Sequence, residues 1–209
     1  FNMGRFFFKS KVIASTVSVV WAHFFASDFF VKRDSELGGA LEQLIVNVMQ
    51  ASEEAYDPVY HNEDKMDKDC KALYDAGQGK FGTNEAMLFK LLVAAPPEYL
   101  KKLNLKYADK YGYTLVKALE KELGGHVQKA AMFMLKMKLK PYEEVAKLIK
   151  TACQGMGTNE LLLTSTLIRY QSIMPAVMVA HVELFEKTVA DRVKSEVGGD
   201  YKRLLLELL

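Results

Sequence analysis

"CQGMGTNE" occupies residues 153–160, and "AGQGKFGTNE" occupies residues 76–85. Each is a glycine-flanked loop with an apolar residue at its tip, followed by the same Gly-Thr-Asn-Glu. Aligning the two loops sets Gly82 on Gly157, an offset of 75 (157 − 82). Downstream, "EKELGGHV" around Glu122 matches "KSEVGGDY" around Glu196, an offset of 74 (196 − 122). A third copy, "DSELGGAL" around Glu36, has no Gly-Thr loop ahead of it. Eleven residues before each glutamate stand Phe25, Tyr111 and Phe185; seven before stand Phe29, Leu115 and Val189. Internal repetition in one register across the chain is the mark of a repeat architecture.

Within each unit the apolar spacing is helical. Val145, Leu148, Ile149 and Ala152 run i, i+3, i+4, i+7 just before the second loop, and Leu88, Leu91, Leu92 and Ala95 do so just after the first. Met66, Cys70 and Leu73 give a similar face ahead of the first loop. Pro96-Pro97 and Pro175 suit helix starts, and the Gly-Gly pairs at 124–125 and 198–199 suit helix ends. No stretch alternates as a strand would. The reading is all-α, with about five short helices per unit. Residues 1–50 form the end of one unit, 51–138 a second and 139–209 a third.

Composition bounds the function. Of 209 residues, half are hydrophobic and 26% charged, a globular balance. The net charge of +2 gives no electrostatic case for nucleic acid, though it permits an acidic surface as partner. Two cysteines without CxxC spacing exclude a zinc framework and point to a reducing compartment. The N-terminal stretch has basic residues followed by apolar residues 12–22, like a signal peptide, but lacks a cleavage site. That run is also well short of a membrane span, so no transmembrane segment is expected. The opening on Phe1 reads as a fragment of a longer sequence.

The loops admit several chemistries. Gly77-Gln-Gly79-Lys-Phe-Gly82 satisfies GxGxxG formally, but an amphipathic helix rather than a strand precedes it. A phosphate-binding P-loop fails because Phe81 follows Lys80. A plain helix–helix turn, with Thr83 and Thr158 as N-caps and Asn and Glu at the helix's positive end, fits each loop singly. It leaves unexplained why an acid recurs about 40 residues after each loop (122 − 82 = 40; 196 − 157 = 39). Calcium explains the pairing. It takes six to eight oxygens, including backbone carbonyls and a bidentate carboxylate. Glycines let several carbonyls converge, and one distant glutamate supplies charge.

The loops, the Glu-Leu-Gly-Gly spacing, "LIR" at 167–169 and the ending "GGDYKRLLLELL" resemble annexins over residues 28–209. The chain looks like the end of the second annexin repeat, then the third and fourth, with no first repeat. The resemblance implies a right-handed superhelical packing of helices and calcium-dependent binding to acidic phospholipid membranes. It implies a cytoplasmic protein that is peripheral to the membrane when calcium rises. By position, the third-repeat ligands would be the carbonyls of Gly77, Lys80 and Gly82 with the carboxylate of Glu122. The fourth-repeat ligands would be the carbonyls of Cys153, Gly155 and Gly157 with Glu196. Phe81 and Met156 would be membrane-contacting tips, and Lys80, Lys101 and Lys102 would add attraction to the leaflet. Glu36 lacks its loop and receives no ligand role.

The family's arginine near the end of the second helix is absent from "LLVAAPPE" and "RYQSIMP", which puts its inter-helix ion pairs in doubt. A calcium-independent structural protein with a cytoskeletal partner is the alternative. An enzyme is not expected, since His23, His61, His126 and His181 enter no acid–base or nucleophile arrangement. His181 aligns with Trp21 and Tyr107 and reads as a packed core residue.

Overall fold

The computed structural model describes residues 39–50, 53–77, 84–155 and 157–209. The expectations placed on Glu36, Lys80, Phe81, Gly82, Thr83 and Met156 lie outside the described residues. So does most of the first partial repeat. Among the described residues there are eleven α-helices and one 3₁₀ turn, and no strand. The chain divides into two compact units, residues 1–139 and 140–209.

The first unit holds α1 (Ala40–Met49), α2 (Glu63–Gly77), α3 (Glu85–Ala94), α4 (Pro97–Tyr111), α5 (Leu115–Glu122) and α6 (Gly125–Leu139). Helix α2 packs against α3, α4 and α5, and α6 packs against α5 and α4, while α1 lies across α3 and α6. Pro97 opens α4 at a position where its missing N–H costs nothing. Thr114 caps α5 by accepting from the Lys117 N–H. The apolar stripes meet in a core that includes Leu44, Phe89, Leu92, Leu103 and Leu119, all essentially sealed from solvent.

The second unit repeats the plan with α7 (Pro141–Ala152), α8 (Glu160–Arg169), a 3₁₀ turn (Gln171–Ile173), α9 (Met174–Phe185), α10 (Val189–Glu196) and α11 (Gly199–Glu207). Helix α7 packs against α8 and α9. Thr188 caps α10 through the Asp191 N–H, as Thr114 caps α5. Val145, Ile149, Leu163, Leu167 and Val177 form its core. His181 is fully buried, as its alignment with Tyr107 predicts.

Two contacts in the first unit were not foreseen. Lys138, 5% exposed, reaches from α6 to the C-terminal end of α3 and donates to the carbonyls of Val93 and Ala95 at 2.6 and 2.8 Å. Its charge is met by Glu53 Oε2 at 2.7 Å. Burial pulls the lysine below its usual range and pushes the carboxyl up, and each partner opposes the other's shift. The end of this helix, where the family pattern lost its arginine, is held by a cation supplied from another helix.

Candidate functional site

The first loop joins α2 to α3 and the second joins α7 to α8, and the acids end α5 and α10. In the first unit the loop begins at Gly77, the last residue of α2, and Glu122 is the last residue of α5. A Cβ on Gly77 would stand 3.0 Å from Glu122 Cγ and 3.5 Å from its carboxyl carbon. That is tighter than most Cβ contacts and would make the Glu122 side chain give way, so glycine at 77 lets the glutamate lie over the start of the loop undisturbed. Both residues line the same end of the unit's interior, beside Leu73, Leu88 and Leu119. The strand required by a dinucleotide fingerprint is absent here, because α2 leads straight into the loop.

The second loop shows its backbone. Gly155 and Gly157 have φ of 101° and 99°, a left-handed region in which a Cβ would be strained. Neither meets any atom where a Cβ would project, so their requirement is conformational rather than steric. Thr158 Oγ1 donates to the Glu196 carbonyl at 3.2 Å, tying this loop to the corner that carries its acid. Cys153 is buried, and its thiol is pushed up first by burial and then by the negative charge of Glu196. The Thr158 hydrogen bond therefore holds the backbone of Glu196 at the loop.

Sequence reasoning misassigned the caps. The N-caps are Asn84 and Asn159, whose side chains accept from the N–H groups of Met87 and Leu162 at 3.2 and 3.0 Å. Thr158 is displaced from the cap because its hydroxyl spans to Glu196. Each Asn N–H also closes its loop, onto Ala76 O and Ala152 O, both at 2.7 Å. The loop in the second unit is one residue shorter between those anchors (84 − 76 = 8; 159 − 152 = 7), and a second residue is lost between cap and acid (122 − 84 = 38; 196 − 159 = 37), which accounts for the mismatch of 75 and 74.

The lysines need a correction as well. Lys102 donates to Tyr56 Oη at 2.8 Å. Tyr56 lies in the segment that Glu54 N–H pins to Ala94 O, at the C-terminal end of α3. The loop lies at the other end of that ten-residue helix, about 15 Å away. Lys101 and Lys102, near the start of α4, thus belong to the end of the unit remote from the loop.

Hard oxygen donors, carbonyls turned by glycine and one carboxylate per loop suit calcium and not a softer metal. Among the described residues no three His, Cys, Asp or Glu side chains cluster as a metal site. Any ion held at these loops depends on backbone carbonyls for most of its ligands.

A glycine loop that leads from one helix into the next, and an acid at the end of the third helix after that loop's leading helix, recur in both units and define an all-α repeat protein. The annexin family model matches residues 68–134 and 144–208. The chain belongs to the annexin family, whose members in general bind calcium and phospholipid. It is 28% identical over 177 residues to annexin A7 of Dictyostelium discoideum, covering 84% of this chain and 38% of that protein. It is also 28% identical over 180 residues to human annexin A13, covering 86% and 56%. Among solved structures, annexin III superposes with a TM-score of 0.80 at 20% identity, over 94% of this chain and 64% of that one. A calcium-bound annexin (Sm)1 gives 0.72 at 20% identity, over 96% and 64%. The chain thus spans about half the length of the curated relatives it matches. Among the described residues no helix is long and apolar enough to cross a membrane.

Proposed function

We propose that this chain binds anionic phospholipid surfaces reversibly and in a calcium-dependent way, through one site per unit. The first would use the carbonyls of Gly77, Lys80 and Gly82 with the Glu122 carboxylate. The second would use the carbonyls of Cys153, Gly155 and Gly157 with Glu196. The supporting observation is the close approach of Glu122 to Gly77, where a Cβ would push the acid from its place. The tie from Thr158 to Glu196 supports the second site in the same way. With one carboxylate per ion, intrinsic affinity is weak, on the order of 10⁻⁴–10⁻³ M. Lipid phosphate oxygens complete the coordination, so calcium and membrane strengthen each other's binding. Phe81 and Met156, at the loop tips, enter the interfacial region; full burial of such a side chain is worth about 1.5–3 kcal/mol, and partial insertion less. On this reading the protein is cytoplasmic until calcium rises, and its role is binding rather than catalysis.

The test is co-sedimentation with phosphatidylserine vesicles, with and without millimolar calcium, for the parent chain and for Glu122→Gln with Glu196→Gln. Calcium-driven binding lost in the double variant is the expected result. Binding that ignores calcium and both glutamates would hand the loops back to the helix-turn reading and revive the calcium-independent alternative. No observation on the described residues favours a cytoskeletal partner.

A further inference from the structure

Between α2 and α3, toward the end remote from the glycine loop, lies a cavity of about 220 Å³. That is far more than a single water needs. One wall is apolar, with Met87, Leu91 and Ala94 at i, i+4 and i+7 on α3. The other holds His61, whose ring is wedged among Tyr56, Tyr60 and Tyr99 at centroid distances of 5.5, 4.9 and 4.6 Å. The His61 side chain is 1% exposed, and the Asp57 backbone N–H donates to its Nδ1 at 3.1 Å. The Asp57 carbonyl, 3.0 Å from Nδ1, already accepts from the His61 backbone N–H at 2.7 Å. Nδ1 is therefore the acceptor, and Nε2 carries the proton.

This Nε2–H has no hydrogen-bond partner among the described residues. Glu54 Oε2 stands 3.4 Å away, beyond the usual range of about 2.7–3.2 Å. A buried donor left unpaired is costly, so its acceptor belongs to whatever fills the cavity. Two of the lining charges satisfy each other, because Asp69 Oδ2 accepts from Lys65 Nζ at 2.9 Å and also from Tyr99 Oη at 2.7 Å. That leaves the Glu54 carboxylate, the Lys90 ammonium and Nε2–H on the lining. A metal ion does not suit this set, since Nε2 offers no lone pair. An anion alone would meet Glu54, and a cation alone would meet Lys90. A zwitterion satisfies all three. In an α-amino acid the two charges are neighbours, as the acceptor on Glu54 and the donor on His61 are here.

We propose that this cavity binds a free α-amino acid with a small aliphatic side chain. Its ammonium donates to Glu54, its carboxylate accepts from His61 Nε2–H and Lys90 Nζ, and its side chain lies on Met87, Leu91 and Ala94. A peptide does not substitute, because its end charges are far apart. The site shares no residue with the calcium sites of the proposed function.

Titration of the full 209-residue chain in chelator with L-leucine, followed through the NMR shifts of the His61 ring, tests this. L-Leucinamide and 4-methylpentanoate serve as probes that each lack one of the two charges. Saturable binding of leucine is expected, weakened about tenfold or more when either charge is removed, and likewise in Glu54→Gln and in Lys90→Met. Glu54 and Lys90 are both exposed, so these variants keep the parent's melting temperature to within a few degrees. An absence of saturable shifts, the result for a cavity that holds only water, overturns the proposal. So does a probe that binds as tightly as leucine, or leucine binding that is unchanged in both variants.

Discussion

Gly77 and Gly155 are both loop glycines, yet they answer to different constraints. An alanine at 77 keeps an allowed backbone at the end of α2 and gains helix propensity, up to ~1 kcal/mol. Its Cβ must then displace Glu122, whose Cγ would lie 3.0 Å away. Gly77→Ala is therefore expected to melt within a few degrees of the parent while raising the calcium needed for half-maximal vesicle binding. An alanine at 155 meets no atom but inherits a φ of 101°, at a cost of about 1–3 kcal/mol. Gly155→Ala should lower stability as well as calcium response. Thermal melts alongside calcium titrations separate the two; equal losses of stability would refute the distinction. The pairing of each loop with its acid was legible because the same spacing is written twice. The caps were not. Threonine and asparagine are both good N-caps and stand side by side, and only the folded corner shows that Thr158 is engaged elsewhere.

At the scale of elements, helix positions followed from apolar spacing and punctuation, because local rules govern them. What escaped was Lys138. In "MLKMKLKP" it reads as one more solvated lysine, and only the packing of α6 against its neighbours seals it over the end of α3. Four C-terminal carbonyls of any helix lack intrahelical donors, and this side chain answers those of Val93 and Ala95 directly. Removing it leaves Glu53, whose side chain is 17% exposed, as a largely buried charge without its cation. Lys138→Ala is expected to cost about 3–5 kcal/mol, measured by urea denaturation. Replacing both partners, Lys138→Met with Glu53→Gln, should recover part of that loss, because no unpaired charge remains. A double variant as unstable as the single one would show that carbonyl capping, rather than charge pairing, is what Lys138 contributes.

Across the whole molecule, stability and site meet through His181. Its Nε2 accepts from Arg192 Nε at 2.9 Å, which leaves Nδ1 to donate to the Lys187 carbonyl at 2.6 Å. The ring is therefore neutral, and burial holds its pKa below the ordinary histidine value, with Arg192, Lys187 and Lys150 adding to that effect and the Lys187 carbonyl opposing it. Protonation would remove the acceptor and set two cations face to face. The folded state thus binds this proton less readily than the unfolded chain. The associated stability is complete above the unfolded value near 6.5 and is lost as pH falls through the lower folded value. Between pH 7 and 5 the parent should lose stability with a slope from this group of at most ~1.4 kcal/mol per pH unit. In His181→Tyr, which installs the residue found at 107, the slope should be shallower. Arg192 sits on α10, whose last residue is Glu196, so acid that loosens this contact also reaches the second glycine loop, the second site of the proposed function. Glu122→Gln leaves only that loop active, and Glu196→Gln leaves only the first. Calcium-dependent vesicle binding should consequently fall further on acidification in Glu122→Gln than in Glu196→Gln. Equal acid sensitivity in the two variants would uncouple His181 from the site and confine its effect to packing.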